Sequence, residues 1–277
     1  MIPFDFEFYR PTSMREAVDL FQQLDLEGKQ PMYFSGGTEI ITLGRVNQIY
    51  TNAVIDIKGI PECQVRHFDN NFLYLGAGSV LADIEQENPF PLLTDVSKEV
   101  ADHTTRRKVT IGGNICGNIP YREAVLPFLL TESEVIICGS SGLRCCQIQE
   151  AFDGKLHLNR GEFLVQLVTE RKYLSTPYVS IKRRKQWDTG YPVVTVAAIR
   201  VGQEIRVAFS GLSPFPFRSK ELEIALNDNS IAAEQRVETA ITTLTEPIVS
   251  DTEASAEYKL FVMKNVLLDV ITALEVK

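Results

Sequence analysis

The chain has 277 residues, and its 28 Lys and Arg against 36 Asp and Glu give a formal net charge of −8. This acidic balance argues against a nucleic-acid-binding protein, because the neutralisation of phosphates requires a basic face. The 44% hydrophobic and 23% charged residues are typical of a globular protein and exclude a disordered chain or a small disulfide scaffold. No apolar run approaches the roughly 20 residues of a membrane helix. Acidic residues stand in Met1–Tyr9 where a signal peptide would be basic, so we expect a cytoplasmic protein.

The N-terminal part of the chain predicts a β-α-β-α-β unit. The alternation of apolar and acidic residues in Phe4–Phe8 predicts a half-buried strand. Ser13 and Glu16 form a capping box that opens the first helix. Short apolar strands are expected at Met32–Phe34 and Ala53–Ile57, with a helical stretch between them.

The later part of the chain contains short predicted strands followed by helices. Val193–Val201 and Ile205–Phe209 predict a hairpin, with Gly202 supplying its turn. Helices follow, and the last is expected to begin at a capping box formed by Ser250 and Glu253. Because strands and helices are partly segregated along the chain, the predicted fold class is α+β.

The cysteines do not predict a disulfide framework or a metal site. Their number is odd, no C-x-x-C pair occurs, and the three histidines lie in unrelated contexts. We interpret them as small, mostly apolar side chains, and no metal is expected. They are Cys63, Cys116, Cys138, Cys145 and Cys146.

Two glycine-containing segments are candidates for binding an anion. The first glycine loop, Ser35–Ile40, follows a predicted strand, and the second glycine loop, Thr110–Asn114, lies far along the chain. Paired glycines let the backbone approach a ligand closely, so that successive N–H groups can point at one anion. Either loop alone is more simply a tight turn. Together they favour a pyrophosphate held between them.

Competing motifs are incomplete in this chain. Gly76-Ala77-Gly78 begins like a dinucleotide fingerprint, but Leu81 occupies the third glycine position. Neither a P-loop nor a G-x-S-x-G nucleophile elbow occurs. The basic run Lys182–Lys185 follows a strand-like segment, so we interpret it as cations at a strand end, one of them aimed at an anionic ligand.

The order of these motifs resembles the FAD-binding subunit of molybdenum hydroxylases, a group that includes the flavin subunits of xanthine dehydrogenase and aerobic carbon monoxide dehydrogenase. The matching pieces are both glycine loops, Val54–Ile57, Gly76–Gly78 and Lys182–Arg184. The resemblance covers essentially the whole chain. It implies a two-subdomain FAD-binding fold of the vanillyl-alcohol-oxidase type, followed by a C-terminal antiparallel sheet with helices. The expected division is a FAD-binding domain over residues 1–170, with subdomains 1–58 and 59–170, and a C-terminal domain over residues 171–277.

The resemblance also implies the residues that bind FAD, and it assigns no catalytic side chain. In the family, the stretch matching the first loop wraps the diphosphate, residues matching Thr110 and Asn114 hydrogen-bond the cofactor, and an acid matching Glu123 binds the adenosine side. Lys182 is expected to approach the cofactor, and its neighbours Arg183 to Lys185 to be solvated or to contact partners. The expected cofactor-binding residues are Tyr33, Phe34, Ser35, Gly36, Gly37, Thr38, Glu39, Ile40, Val100, Thr110, Ile111, Gly112, Gly113, Asn114, Glu123, Leu164 and Lys182.

The function implied is that of an electron-transfer subunit with noncovalently bound FAD. Molybdopterin would lie on a large partner subunit and a 2Fe–2S cluster on a small one, with NAD or another acceptor receiving the electrons. Two alternatives stay open. One is a self-contained FAD-dependent reductase on the same fold, similar to an enolpyruvyl-sugar reductase, and the other is a non-catalytic binding module.

Overall fold

A computed structural model describes residues 2–185 and 189–275. Its N-terminal unit consists of β1 (Glu7–Tyr9), α1 (Met14–Leu26), β2 (Met32–Phe34), α2 (Thr38–Arg45) and β3 (Ala53–Asp56). The three strands form a parallel sheet in the order β1-β3-β2, which confirms the predicted β-α-β-α-β unit. Strand β1 is shorter than predicted, and Phe8 exposes 57% of its surface. The alternation at the N-terminus therefore does not mark a half-buried strand, because β1 is an edge strand.

The middle part forms a five-stranded antiparallel sheet in the order β4-β5-β8-β6-β7 with helices packed on it. Its largest core cluster joins strand residues such as Leu73 and Leu167 to helix residues such as Leu92 and Phe128. The elements are β4 (Arg66–Phe68), β5 (Phe72–Gly76), α3 (Leu81–Glu87), α4 (Pro91–Ser97), α5 (His103–Arg106), α6 (Ile111–Cys116), α7 (Leu126–Leu130), β6 (Glu134–Gly139), β7 (Gly142–Gln147), α8 (Ile148–Ala151) and β8 (Phe163–Glu170).

The C-terminal part is a four-stranded antiparallel sheet with three helices. The strands and helices are β9 (Tyr178–Arg184), β10 (Pro192–Val201), β11 (Glu204–Ser210), β12 (Phe217–Arg218), α9 (Lys220–Leu226), α10 (Ala233–Thr242) and α11 (Ala256–Glu275). The strand order is β12-β11-β10-β9, and the hairpin β10–β11 has Gly202 in its turn at φ +63°, as predicted. Helix α11 packs Met263 and Leu267 into the core beneath this sheet.

The predicted start of the last helix is wrong. Helix α11 begins at Ala256, and the hydroxyl of Ser255 accepts a hydrogen bond from the N–H of Tyr258 at 3.2 Å. The Ser250 hydroxyl accepts instead from the N–H of Ala256, and Glu253 lies in the turn before the helix. Ser250 and Glu253 therefore have the spacing of a capping box, but they lie before α11 and do not form its N-cap.

Four short 3₁₀ helices complete the described structure, at Ile57–Gly59, Pro61–Gln64, Glu123–Val125 and Arg171–Tyr173. The main core cluster continues from the middle sheet to Ala197 in β10, so the C-terminal sheet packs against the helices of the middle part. The α+β prediction, with a C-terminal antiparallel sheet and helices, is confirmed. Among the described residues, no helix has both the length and the apolarity needed to cross a bilayer.

Candidate functional site

A cavity of about 1100 Å³ collects residues from the N-terminal, middle and C-terminal parts of the chain. Its volume matches or exceeds the roughly 300–1000 Å³ of most small-molecule sites. Every predicted cofactor-binding residue except Ile111 lines it, namely Tyr33, Phe34, Ser35, Gly36, Gly37, Thr38, Glu39, Ile40, Val100, Thr110, Gly112, Gly113, Asn114, Glu123, Leu164 and Lys182. The structure therefore brings together two loops that are far apart in the sequence.

Ile111 lies behind the cavity wall. Its side chain is fully buried in the main core cluster, and its N–H donates to the carbonyl of Ser79 at 2.9 Å. Neither its side chain nor its amide is therefore available to a ligand.

The first glycine loop presents a series of free backbone donors. Among the described residues, no N–H group from Ser35 to Ile40 donates a hydrogen bond. Gly37 is the N-cap of α2 and has φ +70°, which turns the chain from β2 into the helix. The buried hydroxyl of Ser35 likewise has no hydrogen-bond partner within residues 2–185 and 189–275. These donors, together with the helix N-terminus, form a site suited to an anion.

Close packing explains both glycines of the first loop. A Cβ on Gly36 would lie 2.0 Å from the carbonyl oxygen of Lys108 and 3.3 Å from the backbone nitrogen of Thr110, so the two loops are in direct contact. A Cβ on Gly37 would lie 2.1 Å from the ring of Phe34. The Nζ of Lys58 donates to the carbonyl of Ser35 at 2.5 Å and further fixes the loop.

The second glycine loop is the cap and first turn of α6, and its N–H groups from Ile111 to Asn114 are already hydrogen-bonded. The N–H groups of Gly112 and Asn114 donate to the carbonyls of Ala77 and Thr110, and that of Gly113 donates to the Thr110 hydroxyl at 3.1 Å. The interpretation that its successive N–H groups point at an anion is therefore wrong. Asn114 accepts the N–H of Ala124 at 3.1 Å through Oδ1, which leaves its amide NH₂ group as a donor.

Glu39 connects the first loop to the segment that follows α6. Its carboxylate accepts hydrogen bonds from the N–H groups of Asn118, at 2.9 and 3.0 Å, and Ile119, at 3.0 Å. Because the carboxylate is held in this way, Glu39 acts as a brace between two walls of the cavity.

Glu123 and Lys182 form an ion pair in the cavity wall. The Nζ of Lys182 lies 2.8 Å from a carboxylate oxygen of Glu123, and also donates to the carbonyl of Glu99 at 2.8 Å. The hydroxyl of Thr195 donates to the second oxygen of Glu123 at 2.6 Å. Burial lowers the pKa of Lys182, while the carboxylate of Glu123 opposes that shift.

The resemblance predicts that the neighbours of Lys182 are solvated or contact partners, and for Arg184 the solvated alternative is wrong. Arg183 is exposed and pairs with Asp269 at 3.3 Å. Arg184, in contrast, exposes only 13% of its side chain and pairs with the carboxylate of Glu99 at 2.6 Å. Because successive side chains of a strand alternate, β9 turns Arg183 and Arg184 to opposite faces of the sheet. The basic run in the sequence does not show which of its cations are buried.

Tyr33 contributes an aromatic wall whose orientation is fixed by packing. Its ring stacks on Phe21 at a centroid distance of 5.0 Å and lies 4.6 Å from the ring of Phe163. Its hydroxyl donates to the carbonyl of Gly161 at 2.9 Å. Burial raises the pKa of Tyr33, so the phenol stays protonated and the wall stays uncharged.

Sequence reasoning missed several residues of the cavity. Tyr121 and Tyr191 stack on each other at 4.5 Å, and Arg122 and Cys116 also line the cavity. Arg122 precedes the predicted Glu123, but adjacent opposite charges are usual on a surface and gave no sign of burial. Among the described residues, no group of three or more His, Cys, Asp or Glu side chains is placed to hold a metal ion.

Two family models match the chain. Residues 4–168 match the model described as the FAD binding domain in molybdopterin dehydrogenase. Residues 179–274 match the model described as the carbon monoxide dehydrogenase flavoprotein C-terminal domain.

Individual relatives and solved structures are similar over most of the chain. The carbon monoxide dehydrogenase medium chain of Hydrogenophaga pseudoflava is 27% identical over 94% of this chain and 93% of that protein. The caffeine dehydrogenase subunit beta of Pseudomonas sp. (strain CBB1) is 27% identical over 80% of this chain and 78% of that protein. The structure of H. pseudoflava carbon monoxide dehydrogenase lacking the Mo-pyranopterin moiety matches with a TM-score of 0.88, at 24% identity over 100% of this chain and 99% of that chain. The match to this solved structure establishes the fold.

Proposed function

Because this chain belongs to the family of FAD-binding domains in molybdopterin dehydrogenases, we propose that it is the FAD-binding electron-transfer subunit of a molybdenum-containing hydroxylase. The oxidoreductase class and the FAD cofactor follow from the family. The direction of electron flow, the partners and the acceptor are part of the proposal.

The residues of the cavity fit FAD. The unpaired N–H groups of Ser35–Ile40 and the orphaned Ser35 hydroxyl supply donors for a diphosphate. Gly37 leaves no room for a Cβ, and the exposed Gly113 forms an open stretch of the second loop. Apolar residues such as Val100 and Leu164 line the same cavity and can contact flat rings. This convergence of free donors on a cavity large enough for a dinucleotide is the observation that carries the proposal.

The redox chemistry would come from the bound FAD, which can exchange one or two electrons. The chain's own residues bind and orient it. The first loop would hold the diphosphate, the amide NH₂ of Asn114 would donate to the cofactor, and the wall around Glu123 and Lys182 would set the local charge. The side chain of Ile111, which is buried elsewhere, has no part in this arrangement.

We infer the partners from the names of the relatives, which describe each of them as one subunit of an enzyme. A medium chain and a subunit beta are named as parts of larger enzymes. We therefore assign molybdopterin to a large partner subunit and a 2Fe–2S cluster to a small one, with NAD or another molecule accepting electrons from this chain. The site of substrate oxidation would then lie on another subunit, in the same compartment, which we take to be the cytoplasm.

The test is anaerobic mixing of the FAD-loaded chain with its reduced 2Fe–2S partner subunit. The yellow absorbance of the flavin should bleach, and it should return when an electron acceptor is added. The same chain without a partner should not oxidise the organic substrate. If the chain alone reduced an enolpyruvyl sugar with NADPH, it would be a self-contained reductase, and if it bound no flavin it would be a binding module.

A further inference from the structure

Arg122 is a buried cation at the cavity wall, and it has no ion-pair partner in the part of the chain that the structure describes. It lies directly before the 3₁₀ helix Glu123–Val125 and exposes only 5% of its surface. Its φ of +23° lies in a region that non-glycine residues rarely occupy. Such strain persists only where the surrounding structure holds the residue in place, and it is concentrated at functional sites.

Among the described residues, the guanidinium of Arg122 forms no ion pair within 4.0 Å, and the charge of Glu39 acts on it only from a longer distance. Its Nε is fully buried without a hydrogen-bond partner, and its Cζ lies 5.7 Å from the ring centroid of Phe152. Other buried cationic side chains in the described residues do form ion pairs with carboxylates, for example Arg106 with Glu85, Lys182 with Glu123 and Lys259 with Asp251. Because a buried charge is costly unless it is paired, the missing partner of Arg122 points to an anionic ligand.

The position of Arg122 indicates which anion this is. The segment just before it is tied by Asn118 and Ile119 to the carboxylate of Glu39, in the first turn of α2. That turn carries the free N–H donors of the first glycine loop. Glu39 itself forms no ion pair with Arg122 within 4.0 Å, and its oxygens accept the two amides. Arg122 and the first loop therefore border the same part of the cavity.

We propose that Arg122 binds the diphosphate of FAD, a role that rests on the proposed function of the chain. A guanidinium presents a planar fork of donors that matches two phosphate oxygens and provides a positive charge that backbone amides do not. The first loop would then supply neutral donors to the diphosphate, and Arg122 would supply its counter-charge.

The experiment compares ligand affinities of the apoprotein in the wild type, Arg122→Gln and Arg122→Gly. Glycine suits the positive φ, so Arg122→Gly should fold at least as stably as the wild type. FAD is titrated directly, and ADP and adenosine are tested as its competitors. Both variants should weaken FAD and ADP by about tenfold or more and leave adenosine unchanged. The matched control is Arg107→Gln, which removes an exposed cation that does not line the cavity.

Three results would overturn the assignment of Arg122. One is wild-type FAD affinity in both variants, another is an equal loss for adenosine and ADP, and the third is ADP competing no better than adenosine in the wild type. A wild-type chain that bound no FAD at all would instead refute the proposed function.

Discussion

Lys182 in β9 and Glu123, 59 positions before it, form an ion pair of 2.8 Å in which neither side chain exposes more than 5% of its surface. Removing one partner of such a pair leaves an uncompensated buried charge, which costs about 3–5 kcal/mol. Lys182→Met should therefore destabilise the chain by about this amount in urea unfolding. The double variant Lys182→Met/Glu123→Gln should recover most of the loss, because both charges are then absent.

The control for this cycle is Arg183→Ala. Arg183 is exposed and pairs with an exposed Asp269, so its removal should change the free energy of unfolding by less than about 1 kcal/mol. Arg184 is unsuitable as a control, because its side chain is largely buried against Glu99. If the single and double variants lost equal stability, Lys182 and Glu123 would not be coupled.

Lys182 should also affect the flavin. A cation in the cavity wall stabilises the negative charge that develops on reduction. Lys182→Met, which keeps Glu123, should bind FAD more weakly or hold it at a lower potential than the wild type. A redox titration together with a FAD-binding titration measures both quantities, and unchanged values for both would restrict the pair to a structural role.

Gly37 should be required for both the loop conformation and FAD binding. It has φ +70°, and a Cβ would meet the Phe34 ring at 2.1 Å. Gly37→Val should leave a folded chain that binds FAD at least about tenfold more weakly. The matched control is Gly142→Ala, since Gly142 has φ +95° with open space around it in the β6–β7 hairpin. If Gly37→Val kept the same full FAD occupancy as the control, the first loop would not hold the cofactor.

Gly113 offers a second test with a different physical basis. Its φ is not positive, and a Cβ would meet the Thr110 hydroxyl oxygen at 2.8 Å. Gly113→Val should therefore lower FAD affinity through bulk at the cavity surface. Calorimetric titration with FAD, together with thermal unfolding, separates this effect from backbone strain. Equal affinity in the variant and the wild type would mean that the second loop does not contact FAD.

Glu162 should make the stability of the chain depend on pH in the acid range. Hydrogen bonds from Arg144 lower its pKa from 4.5 to about 2. A lowered folded pKa contributes stability above pH 4.5, and this contribution is lost as the pH falls towards 2. Glu162→Gln should cost about 1–3 kcal/mol at neutral pH and almost nothing near pH 2. Glu170→Gln, which removes an exposed partner of Lys172, is the control and should have little effect at any pH.

FAD should be bound without a covalent bond. Cys116 lines the cavity and is the cysteine nearest to the second loop. Acid precipitation should release all of the yellow colour into solution, and Cys116→Ser should have the same FAD content as the wild type. Flavin that stays with the precipitate of the wild type and not of the variant would identify Cys116 as a covalent attachment site.

The sequence predicts those features of the fold and site that are local in the chain. The order of strands and helices at the N-terminus, the turn at Gly202 and the two glycine loops all follow from short patterns. The N–H groups of the first loop are free, whereas those of Ile111 and Gly112 in the second loop donate to the carbonyls of Ser79 and Ala77. Ala77 and Ser79 are distant from α6 in the sequence, so no local pattern predicts these hydrogen bonds. The burial of Arg122 depends in the same way on distant parts of the chain.

The crystal structure of the chain saturated with FAD is the most direct test of the site. We expect one FAD in the cavity between the glycine loops, with diphosphate oxygens within hydrogen-bond distance of the N–H groups of Gly36, Gly37 and Thr38. FAD bound elsewhere, or a diphosphate held away from the first loop, would contradict this account.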